Sequence, residues 1–321
     1  MLRAKLHERE IRRAIGLPEA GDRALDGVAP LGAAEDRCLY FINRKMTLAI
    51  RESLAMRRGC IVIARPGIGD LGDCVVLETA DPRAAIASVL GFIRAEQRQG
   101  PMVTDRKIAP DAVISPLAVV EGSVHIGEGA VVEPFCTVGP DVVIGRGTIL
   151  MAGARIYPRV SIGDGSTIGA NSVIGAQGYG FVRDKAGNKT RIPHLGGVTI
   201  GSHVDIGALT IIQSGTIVAT VVEDYAKIDD NVEIGHNVRI GRNASIVGGV
   251  VIGGSATVGA EAWVGMNSTI RNSGQVGPRS LVGMDASVQE DLDENAVARA
   301  PRPDVGMRSD DDRAAIGFGE P

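Results

Sequence analysis

The chain has 321 residues, a formal net charge of −4 and 44% hydrophobic residues. That is long enough for two domains, and the charge gives no argument for a nucleic-acid partner. No apolar run approaches a membrane span, and Met1 to Glu8 lacks the apolar core of a signal peptide, so a cytoplasmic protein without an integral membrane segment is expected.

Residues 1–103 carry no short period. Cys60 to Ala64 and Cys74 to Leu77 read as buried strands. Asp81 and Pro82 open a helix that runs through Glu96, with Asp as cap and Pro in the first turn. A small α/β domain is expected here, followed by a polar linker from Arg98 to Lys107. The four cysteines, Cys38, Cys60, Cys74 and Cys136, are scattered without metal-type spacing, and reduced thiols are expected.

Residues 104–293 repeat every six. An unbroken aliphatic ladder runs from Ile108 through Ile126, Ile144 and Ile162 to Ile174. It resumes at Ile200, Ile206 and Ile212, slips by four residues, and continues from Val222 to Val288. A fixed short period settles the fold before any other signal. One short strand and one tight turn per hexad place every aliphatic residue inside a coil, and glycine is expected at the corners for its conformational freedom. Three hexads close a triangular turn. About 27 hexads then stack roughly 4.8 Å apart into about nine coils, a prism about 43 Å long. Aromatic content of 3% suits so narrow an interior. Low-complexity disorder is the competing class, and it fails because so regular a column buries its apolar surface.

Residues 176–197 interrupt the prism, and a long loop inside a solenoid is more often functional than accidental. The beat stops after Val288. Residues 294–321 form a short tail with Pro301, Pro303 and Asp310 to Asp312, expected to be partly disordered.

A packed prism has no internal pocket, so a site must lie outside it, against a loop or a neighbouring subunit. His236 is the third residue of its hexad, an outward corner, and Gly254 holds the same corner one coil on. A neutral imidazole there is suited to remove a proton, and a bare glycine N–H beside it to hold an oxyanion. Asp229, seven residues earlier, is placed to orient the imidazole. On periodicity alone a solvated turn histidine is the commoner outcome. His125, His194 and His203 carry weaker signals, and His203 with His236 supplies two zinc ligands without a third, which disfavours a metal-dependent hydratase. No metal is therefore expected. No P-loop, nucleophile elbow or dinucleotide fingerprint is present.

The hexads resemble the left-handed parallel β-helix of the hexapeptide-repeat acyltransferases. A closer resemblance covers nearly the whole chain. Gly27-Val28-Ala29-Pro30 with Leu39 to Lys45, the loop from Gly178-Tyr179-Gly180-Phe181 to Ile192-Pro193 and Gly196, and the segment Ile228 to Val238 are similar to the UDP-3-O-acylglucosamine N-acyltransferases. The resemblance implies a mainly β fold, a β-helix with a small N-terminal uridine-binding α/β domain. It implies transfer of a 3-hydroxyacyl chain from the phosphopantetheine thioester of acyl carrier protein to the amine of a UDP-linked amino sugar, for lipid A, with no tightly bound cofactor. His236 is then the base, Gly254 the oxyanion donor and Asp229 the support. Tyr40 and Asn43 fall where the family grips uracil, and Gln177, Tyr179, Phe181 and His194 on the loop are taken as substrate contacts; Tyr40 is equally readable as a core residue. A homotrimer with sites between prisms is implied.

The chain departs from the family at Met46 (usually aromatic), Gln177 (an Asp), Gln213-Ser214 (an Asp-Arg pair) and Ser273 (a second histidine), and its tail is short and acidic. These changes leave open an acetyl-CoA-dependent nucleotide-sugar N-acetyltransferase and a non-catalytic scaffold.

Overall fold

The computed structural model describes residues 1–43, 45–99 and 105–301. Arg44, the middle of the expected linker with its boundary at 103/104, and the tail beyond 301, including Pro303 and Asp310 to Asp312, lie outside the described residues.

The small unit runs Leu2–His7 (β1), Glu8–Ala14 (α1), Ala24–Val28 (β2), Cys38–Phe41 (β3), Leu48–Ala55 (α2), Ile61–Ala64 (β4), Val75–Glu78 (β5) and Pro82–Gln99 (α3). The strands form one sheet in chain order, with β1 antiparallel to β2 and the rest parallel. Strands appear where buried apolar runs are, and α3 starts where the Asp-Pro pair is. The Asp81 carboxylate accepts the N–H groups of Arg83 and Ala84, both at 3.0 Å, which satisfies two of the orphan donors at a helix start.

Side-chain alternation divides the sheet. Leu39, Ile61, Ile63 and Leu77 pack with Ile86 and Leu90 of α3, and their cluster extends to Ile192, Leu195 and Ile217 of the β-helix. On the other side Tyr40, Ile42, Val62 and Ala64 pack with Leu54 of α2. Cys38, Cys60 and Cys74, far apart in sequence, lie in that second cluster on three neighbouring strand lines, and all are free and buried.

The rest is a left-handed parallel β-helix with three flat faces. Face one runs from Arg106–Ile108 to Gln275–Val276 in nine strands, face two from Val113–Ile114 to Val297–Ala298 in ten, and face three from Val119–Val120 to Ser287–Val288 in nine. Nine turns and one further strand meet the expectation of about nine coils. The ladder is buried from Ile126 to Val288, whereas Ile108 at the open first coil is 38% exposed, because an end coil has a neighbour on one side only.

Glycine takes left-handed corners as expected at Gly129, Gly147, Gly153, Gly165 and Gly249, with φ between 62 and 75°, and has a second task besides. The glycine after each aliphatic residue is needed for close approach between coils: a Cβ on Gly235 would sit 2.7 Å from the Gly254 nitrogen, and one on Gly241 2.5 Å from that of Ala260. The left-handed corner falls two residues later and is often asparagine, as at Asn171, Asn231, Asn237, Asn243 and Asn267, with φ between 55 and 59°. Buried hydroxyls at the small position stitch coils together. Thr210 donates to the Asp229 carbonyl at 2.8 Å and accepts the Val232 N–H at 3.1 Å.

Candidate active site

Every irregularity of the repeat falls on one edge of the prism, between faces three and one. The insertion follows the strand Val173–Ala176 on face three and returns to Val198–Ile200 on face one. The four-residue slip lies one coil on, between Ile211–Gln213 and Thr220–Val222. His236 is at the same edge on the next coil, Gly254 on the one after. The core register survives: Ile174 pairs with Ile212, Ile212 with Ile234, Ile234 with Ile252. Extra residues leave the coil only at this edge, so they build a wall there without disturbing the core.

That wall and the small unit enclose a cleft of about 510 Å³. The small unit contributes Phe41, Asn43 and Arg83, the insertion His194, the slip Thr216, and the coils His236, Asn237 and Ser255. Asn237 ties the slip to the coil beneath it. Its amide oxygen accepts the Thr216 N–H at 2.8 Å, its amide nitrogen donates to the Thr216 hydroxyl at 3.2 Å, and its own N–H donates to the Thr220 hydroxyl at 2.9 Å.

The His236 ring lies against Gly254: a Cβ there would sit 2.5 Å from Cε1 and 2.8 Å from Nδ1, so only glycine leaves room for the imidazole. Some corner N–H groups are capped by a side-chain oxygen from an adjoining coil, as Ala208 is by Asp230 at 2.6 Å and Gly248 by Asp229 at 3.0 Å. The Gly254 N–H has no such partner among the described residues; the residue in the capping position of the previous coil is Gly235, which has no side chain. An open amide and an imidazole therefore share one corner. Burial, then the positive charge of Arg83, holds His236 below the ordinary imidazole range, which keeps it neutral and able to accept a proton.

His194 meets His236 edge to face, with ring centroids 4.8 Å apart. It is 1% exposed, its Nδ1 has no hydrogen-bond partner, and burial first, with the neighbouring His236 second, pushes it down to about 4. Gln177 clamps its backbone, donating to the His194 carbonyl at 2.9 Å and accepting its N–H at 3.0 Å. Ser214 donates to the same carbonyl at 3.4 Å and accepts the Gly197 N–H at 2.9 Å. A Cβ on Gly178 would sit 2.6 Å from His194 Nε2, so this turn needs glycine to wrap the ring. Two of the sequence departures, Gln177 and Ser214, thus converge on the backbone of one buried histidine.

The structure brings His236, His194 and Asn43 to one cleft, with Gly254 against the His236 ring, and leaves other expected residues elsewhere. Asp229 is on the edge between faces two and three; its carboxylate accepts the Gly248 N–H, and among the described residues nothing joins it to His236. The expected support is not made within one chain, because a seven-residue spacing moves the residue to another corner. Tyr40 is fully buried; its hydroxyl donates to the Glu35 carbonyl at 2.6 Å and accepts the Glu35 N–H at 3.1 Å, so it is a core residue. Phe41, one step along the strand, lines the cleft instead. Gln177 braces the loop rather than lining the cleft. Tyr179 is 73% exposed and packs on Phe181, which also lies under the Arg191 guanidinium, and neither ring lines the cleft. His203 stacks on Tyr225 at the edge between faces one and two, so it does not pair with His236. Sequence reasoning missed Phe41 and Arg83. The strand Cys38–Phe41 is apolar on both faces, so alternation did not single out the first, and nothing local carried a signal for the second.

A parallel β-helix of hexads with an imidazole and an open amide on one edge defines a hexapeptide-repeat transferase, and the bacterial transferase hexapeptide (six repeats) model matches residues 141–176 and 219–254. The chain is 36% identical over 241 residues to a UDP-3-O-acylglucosamine N-acyltransferase of Leptothrix cholodnii, covering 70% of this chain and 68% of that protein. It is 42% identical over 213 residues to that of Delftia acidovorans, covering 64% and 59%. An Arabidopsis UDP-N-acetylglucosamine acyltransferase structure, 20% identical over 66% of this chain and 77% of its own, superposes with a TM-score of 0.50 and shows the shared fold. The chain belongs to the UDP-3-O-acylglucosamine N-acyltransferase family. Its matches span 59% to 68% of the length of the Delftia and Leptothrix relatives.

Proposed function

We propose that this protein forms an amide on a UDP-linked amino sugar, in lipid A-type synthesis in the cytoplasm, using an acyl chain carried as a thioester on acyl carrier protein. The observation that carries the reading is the unpartnered Gly254 N–H beside a neutral His236 that lines the cleft. The sugar amine attacks the thioester carbonyl while His236 takes its proton. The Gly254 N–H holds the oxyanion of the tetrahedral intermediate. Collapse expels the thiolate, which recovers the proton from the imidazolium, leaving an amide and a free thiol. Residues 1–103 present the nucleotide through Phe41 and Asn43, and residues 104–293 supply the chemistry.

The acceptor and donor are tested together by a screen of UDP-amino sugars with acyl carrier protein and CoA thioesters, read by product mass. A product formed from acetyl-CoA alone would replace this reading with a nucleotide-sugar N-acetyltransferase, and an inert protein would leave a scaffold. His236→Ala is expected to reduce transfer by about 10²- to 10⁴-fold without loss of fold, measured by initial rate and circular dichroism. Undiminished transfer would reject the assignment.

A further inference from the structure

We propose that Arg83 is the anion-binding residue of the cleft, seating the diphosphate of the nucleotide sugar between the base-gripping end at Asn43 and the acyl-transfer end at His236. The inference rests on the UDP-sugar reading above and adds a residue that neither the hexads nor the loop points to.

Arg83 stands in the first turn of α3 and reaches the cleft from the small unit, on the wall shared with Phe41 and Asn43. It is the only Lys or Arg lining the cleft among the described residues, and no carboxylate lines the cleft there. Several arginines on the prism are ion-paired instead: Arg146 to Asp164, Arg239 to Glu223, Arg242 to Asp224 and Arg271 to Asp291. Among the described residues Arg83 has no ion pair or side-chain hydrogen bond, and it is exposed, so an incoming anion displaces none of them. A guanidinium fork matches two phosphate oxygens and gains from both charge and geometry.

The same charge couples acceptor binding to the base. His236 faces Arg83 from α3 and the neutral His194 from the insertion. The acids that flank it in sequence have other partners, Asp229 the Gly248 N–H at another edge and Glu233 the Gln213 amide at 3.2 Å. With no carboxylate to offset it, the guanidinium disfavours the imidazolium in the empty enzyme. A bound diphosphate offsets that charge and removes its share of the depression at His236 when the amine is in place, while the larger share, from burial, remains.

The test is calorimetric titration of UDP and of uridine into the full chain, into Arg83→Gln and into Arg83→Lys. The wild type is expected to hold UDP about tenfold or more tighter than uridine, as charge-assisted hydrogen bonds to phosphate require. Arg83→Gln is expected to bring UDP close to the affinity of uridine while leaving uridine unchanged, and Arg83→Lys to retain part of the difference. Equal UDP affinity in the wild type and Arg83→Gln overturns the assignment and leaves the acceptor reading standing. A wild type that binds neither ligand overturns both. As a second readout, the acid limb of kcat/KM, which reports the free enzyme, is expected to move to higher pH in Arg83→Gln and not in Arg83→Lys. A limb that stays in place removes the electrostatic half of the proposal.

Discussion

At the scale of single residues, the site is a set of buried neutral groups held without counter-ions. His194 is the clearest case. Its ordinary value is 6.5 and burial pushes it down to about 4, so the unfolded chain binds a proton in that interval and the folded chain does not. Stability is therefore complete above pH 6.5 and is lost as the pH falls towards 4, by up to about 3 kcal/mol. His194→Gln is expected to flatten that slope, measured by denaturant unfolding from pH 4 to 8; an unchanged slope would show that His194 is not what responds. The residue also marks where local reading stops. That His236 and Gly254 share a corner follows from their spacing of three hexads, and seven residues between Asp229 and His236 already exceed one hexad. Tyr40 against Phe41 rests on strand parity, which a four-residue strand with apolar residues on both faces does not display.

At the scale of elements, the slip of four residues and the insertion are walls raised on one edge. Asn237 joins wall to coil: it takes the left-handed corner at φ 59° and makes three hydrogen bonds to Thr216 and Thr220. Asn237→Ala is expected to cost about 1–2 kcal/mol in stability, from lost hydrogen bonds and corner strain. Transfer should fall further than that loss explains, because Thr216 and Asn237 both line the cleft; rates at saturating substrate, beside a melting curve, check this. A change confined to the melting temperature would mean the slip does not shape the site. Inside the column the rule is plainer. Ile234→Ala removes a fully buried rung and should destabilise the protein by about 2–5 kcal/mol, read by chemical denaturation.

At the scale of the whole molecule, the last coils present apolar side chains to solvent. Trp263 is 51% exposed, Met266 52% and Met284 68%, and Trp263 pairs in register with Leu281 on face two. A large exposed ring on face two with thioethers along its edge is the mark of an interface, and we propose that three prisms associate through it. Trp263→Glu is expected to shift the protein to smaller species in sedimentation velocity and to lower transfer. A wild type that sediments as a monomer would overturn the trimer.

The period alone determined the three-sided β-helix, its number of coils, the aliphatic column and the shared corner of residues 236 and 254, because stacking identical short units leaves one way to bury that column. The interruptions at 176–197 and after Ile212 were equally visible as breaks in the beat. Only the tertiary structure decided what stands opposite the corner. The docking of the small unit through Ile192, Leu195 and Ile217 brings Phe41 and Arg83 across from His236, and packing on both sides of a sheet turns Tyr40 inward. Those outcomes depend on contacts between segments remote in sequence, for which a six-residue repeat holds no information.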